Sequence, residues 1–139
     1  MWTFEQWRDK VVGHESELIN EGNAILRAHE QNVQSVVKAA ARKCEIAIDD
    51  GAGHDYRVLP GLAANCPPHL QSDVGHELAN QSGTFGLLWC IDKDNRCKCS
   101  LRSNGDYDVS AIAKAFGGGG HRNAAGFQVD IQTLLGWIK

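Results

Sequence analysis

Residues 84–103 read TFGLLWCIDKDNRCKCSLRS and contain the strongest strand pattern in the chain. The first part, 84–91, is apolar on both faces, which is typical of a central strand covered from two sides. Residues 92–95 form a four-residue turn of hairpin type. The returning segment alternates, with Cys97, Cys99 and Leu101 on one face and Arg96, Lys98, Ser100 and Arg102 on the other. The pattern therefore predicts a hairpin inside a sheet.

Strand and helix patterns alternate on both sides of this hairpin. Further strands are predicted at 44–48, 56–64 and 126–129, and Pro60 places the second of them at an edge or a bulge. Helices are predicted from Ser72 as N-cap to about residue 80, after Asp108 or Ser110, and after Asp130. Apolar residues at spacings of three and four predict a long helix from about Glu15 to Lys43. We expect an α/β fold with a mixed sheet of about five strands, flanking helices and a long N-terminal helix.

The composition suits a globular protein. The chain has 139 residues, of which 42% are hydrophobic and 22% charged, so a disordered or collagen-like chain is excluded. No apolar run approaches the length of a membrane span, and no signal peptide is visible. The five cysteines form no disulfide-framework pattern, so we expect reduced thiols and a cytoplasmic protein. A zinc site formed by Cys90, Cys97 and Cys99 is less favoured than burial of these residues. Cys97 and Cys99 share the apolar strand face with Leu101, and free cysteine is commonly buried.

The charge distribution favours a local anion site. The formal net charge is −3, the wrong sign for a general nucleic-acid surface. Residues 1–92 hold 7 Lys/Arg against 13 Asp/Glu, whereas residues 93–122 hold 6 against 3. The basic segment therefore contains the expected anion-binding residues.

That segment includes the glycine run 117–120, followed by His121 and Arg122. Successive glycines leave backbone N–H groups unobstructed and reach conformations in which these groups converge on an anion. Arg102, on the polar face of the preceding strand, can grip a phosphate with two hydrogen bonds. From composition alone, a flexible loop before a core histidine remains an alternative.

Residues 116–127, FGGGGHRNAAGF, closely resemble the GGGH-x-x-AAG signature of the DHH-associated domain, subfamily one. Residues 72–75, 100–103 and 108–113 are similar to the family's other motifs in the expected order. The resemblance implies a substrate-binding domain of DHH-family phosphoesterases such as nano-RNA and RecJ-type nucleases. It implies that the phosphate is held by Arg102, Gly118, Gly119, Gly120 and His121, with Ser103 as a weaker candidate.

The resemblance also implies what a complete enzyme contains. A separate DHH domain would supply aspartates and histidines for two divalent metals, usually manganese. This sequence has no Asp-His-His triplet, and its nearest cluster, Asp49, Asp50, His54 and Asp55, is more typical of a turn than of a metal site. We therefore expect no catalytic residue, metal ligand or cofactor in this chain, and no hydrolysis by it alone. Residues 1–43 are expected to form a helical segment after an interdomain linker, and residues 44–139 the binding domain.

The expected partners are a short oligonucleotide or nucleoside phosphate and the DHH catalytic domain, without a membrane. A homodimer is a further alternative, because the absence of the DHH domain would leave the surface that contacts it exposed. Two other hypotheses stay open: a stand-alone nucleotide- or phosphate-binding regulatory module, and a complete hydrolase that uses the cluster at 49–55.

Overall fold

The computed structural model describes residues 1–49, 51 and 56–139. Within these ranges, six strands form one sheet in the order β1-β2-β3-β4-β6-β5. The strands are β1 (Arg42–Asp49), β2 (Tyr56–Asn65), β3 (Phe85–Ile91), β4 (Cys97–Ser103), β5 (Gly119–His121) and β6 (Ala124–Val129). The α-helices are α1 (Phe4–Ala40), α2 (Gln71–Ser82), α3 (Val109–Ala115) and α4 (Ile131–Trp137), and a 3-10 turn at Pro68–Leu70 leads into α2.

The sheet is mixed, as predicted. β2 and β3 are parallel, and the other neighbouring strands are antiparallel. The additional strand is β5, which the sequence analysis left inside the glycine run. It pairs with β6 across the turn at Arg122 and Asn123, with Gly119 opposite Gly126 and His121 opposite Ala124. His121 therefore ends a strand.

The position of β2 corrects a second prediction. Pro60 was expected at an edge or a bulge, but β2 lies between β1 and β3. Its pairing with β3 begins only at Leu62, so Pro60, opposite Glu45, lies in the part of β2 that pairs with β1 alone. Proline lacks the N–H that a strand paired on both sides requires, so the pairing with β3 starts after it.

The sheet separates two apolar clusters. The strand face that carries Cys97, Cys99 and Leu101 packs with α3 and α4, and the largest buried side chains there include Phe85, Ile46, Leu87 and Leu134. On the opposite face, α2 contributes Val74 and Leu78, which pack with Leu88. The alternation in β4 is confirmed, because Cys97, Cys99 and Leu101 are all buried whereas Lys98 is exposed.

Helix α1 is longer than predicted: it begins at Phe4, before the predicted start at Glu15, and it ends at Ala40, before the predicted end at Lys43. The backbone N–H of Gln6 donates to Thr3 Oγ1, and that of Thr3 donates to Gln6 Oε1, which is the reciprocal arrangement of a capping box. Trp2 and Trp7 lie on either side of this cap with ring centroids 5.0 Å apart, as in a hydrophobic staple. The chain divides into two compact units, 1–32 and 33–139.

Candidate functional site

Two residues that were predicted to bind phosphate, Arg102 and His121, lie in one row with Ala124 at the edge of the sheet. Arg102 of β4 is opposite Ala124 of β6, and Ala124 is opposite His121 of β5. Residues directly opposite each other on neighbouring strands share a face of the sheet. Arg102 and His121 therefore lie on the same face, separated by two strand spacings, about 10 Å between their Cα atoms. We call Arg102, Ala124 and His121 the cationic row.

Arg102 is held against the start of α2. An added Cβ at Gly75 would lie 2.6 Å from Arg102 Cγ and 2.9 Å from its Cβ, so the Arg102 stem fills the space that glycine leaves on the helix. The guanidinium donates to the carbonyl oxygen of Leu101 at 2.9 Å and to Ser72 Oγ at 3.3 Å. These bonds use two of the five N–H donors of a guanidinium, so the group retains donors for an anion.

Ser72 was predicted as the N-cap of α2, and this is wrong. The 3-10 turn at Pro68–Leu70 runs directly into the helix, whose cap position is Leu70. Proline favours the first turn of a helix, which explains why the helical segment begins before Ser72. Ser72 lies inside the first turn, where its hydroxyl contacts Arg102. The helix ends at Ser82, two residues after the predicted end, and Gly83 follows it in the left-handed conformation with φ 72°.

A hydrogen bond between the buried Gln71 and the half-buried Ser100 fixes the same end of α2 on β4. Ser100 Oγ donates to Gln71 Oε1 at 2.8 Å, and Gln71 Nε2 donates to the carbonyl oxygen of Cys66 at 3.1 Å. Gln71 is buried, so each of its polar atoms needs such a partner. Gln71 was not predicted from the sequence, where its position before the Ser72 motif was the available signal.

The glycine run has two different roles. The N–H groups of Gly117 and Gly118 donate to the carbonyl oxygens of Lys114 and Ala113 at 3.0 and 2.9 Å and thereby terminate α3, with Gly117 at φ 76°. They are therefore not part of the converging N–H concavity expected for an anion. Gly119 is exposed, and an added Cβ there would meet no heavy atom within 4 Å.

Gly118 and Gly120 pack against β6. A Cβ on Gly118 would collide with the carbonyl oxygen of Gly126, and one on Gly120 would lie 2.5 Å from Ala125 Cα. Glycine at these two positions lets β5 and the preceding loop approach β6 closely enough to pair. Their contribution is to place His121 beside Ala124.

Ser103 is directed into the protein. It is 4% exposed, and its hydroxyl donates to the carbonyl oxygen of Tyr107 at 2.6 Å and accepts from Asn123 Nδ2 at 3.0 Å. Because a hydroxyl has one hydrogen to donate, this arrangement favours a structural role.

Asn123 is a site-supporting residue that was not predicted from the sequence, whereas Arg122, predicted as a side-chain donor at the rim of the anion site, pairs with Asp106 at 3.4 Å. Asn123 Nδ2 also lies 3.1 Å from the carbonyl oxygen of Gly105, and the carbonyl oxygen of Arg122 accepts from the N–H of Val109 at 2.8 Å. The turn between β5 and β6 is thus fastened to the loop that precedes α3. Asparagine is a common turn residue, which was the available signal.

A cleft of about 470 Å³ lies further along β4 and β6, and the residues of the cationic row are not among those that line it. Ser100 and Gly126 form the next row on the same face, and Lys98 and Gln128 the one after it. These four residues and Gly118 line the cleft. Within it, the Nζ atom of Lys98 lies 3.7 Å from Oδ2 of Asp92. A larger cleft of about 530 Å³ beside Arg57 and Tyr107 contains none of the predicted site residues.

The described residues contain no group of three or more His, Cys, Asp or Glu side chains that could hold a metal ion. Of the cluster considered above, Asp49 ends β1, whereas Asp50, His54 and Asp55 lie outside the described residues. The cysteines are free thiols, and burial raises the pKa of Cys44 to about 12 and that of Cys66 to about 11. These two thiols are therefore protonated at neutral pH, as core residues are.

The segment from α2 to α4, residues 72–135, matches the family model of the DHHA1 domain. Residues 72–135 form a DHHA1 domain. This is the DHH-associated domain found in DHH-family phosphoesterases, and it is an accessory domain of DHH-family proteins. The match includes Arg102, Ser103 and the glycine run with His121, so the resemblance expected from the sequence is confirmed.

A viral protein contains a similar segment. An uncharacterized protein of Acanthamoeba polyphaga mimivirus is 48% identical over 64 residues, which cover 42% of this chain and 15% of the viral protein. The DHHA1-containing chain thus spans a small part of the length of the curated relative it matches. Among the described residues, no helix is both long and apolar enough to span a membrane.

Proposed function

We propose that the DHHA1 domain binds a phosphate group of a short oligonucleotide or nucleoside phosphate over the cationic row. In this proposal it is the substrate-binding part of a DHH-family phosphoesterase. The observation that supports the proposal most is the strand register, which puts the guanidinium-bearing Arg102 and the imidazole-bearing His121 on one face with only Ala124 between them.

The dimensions of the row suit a phosphoryl group. The methyl group of Ala124 is much shorter than the side chains on either side, so the row has a depression at its centre. A phosphate above Ala124 can accept hydrogen bonds from both flanking side chains, and bonds between a cation and a phosphate are stronger than neutral ones. Ser72 and the Leu101 carbonyl orient the guanidinium beforehand, which reduces the entropy lost when the anion binds.

The neighbouring cleft offers room for the remainder of the ligand. Lys98, Ser100 and Gln128 provide a cation and hydrogen-bonding groups along the same face. Gly118 and Gly126 add half-buried backbone without side-chain bulk. A nucleotide bound by its phosphate at the cationic row can therefore extend along β4 and β6.

Catalysis would require groups from outside the described residues. The residues described do not fit a two-metal centre, because they contain no suitable ligand cluster. We assign the manganese expected for a DHH phosphoesterase to a separate DHH domain, and no reaction step to this chain. The length of the mimiviral relative, of which the match covers 15%, supports a role within a longer protein over a stand-alone regulatory module.

Binding by the full 139-residue chain tests this proposal. We expect a fluorescent, 5′-phosphorylated dinucleotide to bind weakly but saturably at low salt, as measured by fluorescence anisotropy. Arg102→Ala and His121→Ala each remove one cationic donor and should weaken binding about tenfold, the range for a lost charged hydrogen bond. Lys93→Ala is the matched control, because it removes a cation from the exposed turn before β4.

Equal affinities in all four proteins would contradict the proposal. So would manganese-dependent hydrolysis of the dinucleotide by the purified chain, since that result would place the catalytic centre within these 139 residues.

A further inference from the structure

The first unit, residues 1–32, exposes a large apolar surface on α1. Leu18 is 65% exposed and Ile25 is 70% exposed. The exposed apolar side chains of this helix are those of Phe4, Trp7, Val11, Val12, Leu18, Ile19, Ile25 and Leu26. A contiguous apolar surface of this size on a folded protein usually marks an interaction site.

These side chains recur with a period of seven. The adjacent pairs Val11–Val12, Leu18–Ile19 and Ile25–Leu26 are each separated by seven residues. Positions seven apart on an α-helix lie within about 20° of each other, so the pairs form one stripe. A strict seven-residue repeat is the period of helices that supercoil around another helix. The spacing therefore indicates a helical partner with the same repeat.

We propose that two copies of this chain pair through the apolar stripe, with their α1 helices antiparallel. The stripe is symmetric about Leu18–Ile19, because one pair lies seven residues before it and another seven residues after it. When a second copy is reversed about this centre, Leu18–Ile19 meets the same pair of the other copy. Val11–Val12 then meets Ile25–Leu26, so every apolar pair has an apolar partner.

Two residues within the stripe favour the antiparallel direction. Glu15 and Gly22 lie between the apolar pairs, one on each side of the centre. In a parallel pair, the two Glu15 carboxylates would meet. In the antiparallel pair, each Glu15 faces Gly22, which has no side chain and no heavy atom within 4 Å of its Cβ position. The two Glu15 residues are then seven residues apart along the axis, or about 10 Å, close to the screening length of physiological salt.

The available area is sufficient for a stable dimer. If each of the six side chains in the three pairs loses on the order of 100 Å², each copy buries about 600 Å² and the two copies together about 1,200 Å², the lower end of the range for specific interfaces. Another copy of the chain is therefore an adequate occupant of this surface.

Sedimentation equilibrium of the full chain tests the inference. We expect a concentration-dependent dimer with about twice the chain mass of 15.2 kDa. Leu18→Glu puts a charge in the centre of the stripe and should raise the dissociation constant at least about tenfold. Asn20→Glu is the matched control: it adds the same charge about 200° around the helix from Leu18 and should leave the constant unchanged. Circular dichroism should show equal helix content in both variants, and Ile25→Glu should repeat the effect of Leu18→Glu.

Cysteine cross-linking tests the direction. A mixture of Val12→Cys and Ile25→Cys chains should form a mixed disulfide faster than Glu15→Cys chains cross-link with themselves. Faster self-cross-linking of Glu15→Cys would overturn the antiparallel arrangement. A chain that stays monomeric, or a dimer equally stable in Leu18→Glu and Asn20→Glu, would overturn the interface itself.

Discussion

Small residues determine how closely the elements around the cationic row approach one another. Gly75 gives the Arg102 stem its place on α2, and Gly86 of β3 lets the same helix lie on the sheet, since a Cβ there would be 2.5 Å from the carbonyl oxygen of Gly75. Ala124 keeps the centre of the row shallow. The role of Gly75 depends on which strand residue faces the helix, and the sequence motif alone does not contain that information.

The glycine run provides a matched pair of substitutions. Gly118→Ala should destabilise the chain by about 1–3 kcal/mol, the usual cost of overpacking, because its Cβ would collide with the carbonyl oxygen of Gly126. Gly119→Ala should change the free energy of unfolding by less than about 0.5 kcal/mol, because its Cβ points into open space. Urea unfolding followed by circular dichroism measures both, and equal destabilisation would contradict the close approach of Gly118 to Gly126.

Helix ends and strand alternation were predictable because they depend on neighbours in the chain. Asp130 caps α4, and of the two candidates for α3 the structure selects Asp108, which accepts from the N–H of Ser110 at 2.9 Å. β5 and the Leu70 cap were missed for the opposite reason. A short glycine segment becomes a strand only when a partner lies beside it, and the 3-10 turn before α2 changes which residue occupies the cap position.

The cap of α3 makes stability depend on pH. Hydrogen bonds from the Ser110 side chain and backbone lower the pKa of Asp108 below its ordinary value of 3.8. The ionised carboxylate thus stabilises the fold above about pH 4, and this contribution is lost as the pH falls through the lowered pKa. The difference in unfolding free energy between the native chain and Asp108→Asn should therefore be present at about pH 6 and shrink toward pH 2.

The exposed Asp106, which pairs with Arg122 at 3.4 Å, supplies the control. Asp106→Asn should show a smaller change with pH, since exposed ion pairs contribute little. A pH-independent difference for Asp108→Asn would mean that the cap is not ionised in the folded protein.

At the scale of the chain, a DHHA1 domain at residues 72–135 follows an N-terminal helix of 37 residues in the sequence. The α/β class, the central hairpin and the family were predictable from sequence, because each rests on a local pattern or a contiguous motif. The candidate site was predictable only in its residue types. Arg102 and His121 belong to one row because β6 lies between β4 and β5, and this strand order is set by pairing between distant segments. Similarly, the N–H groups of Gly117 and Gly118 donate to carbonyl oxygens of α3, because this helix ends where the glycine run begins.

Chemical-shift mapping of the ¹⁵N-labelled 139-residue chain tests the central claim most directly. On titration with a 5′-phosphorylated dinucleotide, we predict that the largest shifts occur at Arg102, Gly119, His121 and Ala124, with smaller shifts along β4 and β6 toward Lys98. Shifts that concentrate at Arg57 and Tyr107 beside the larger cleft, or that spread evenly over the chain, would contradict a phosphate site at the cationic row.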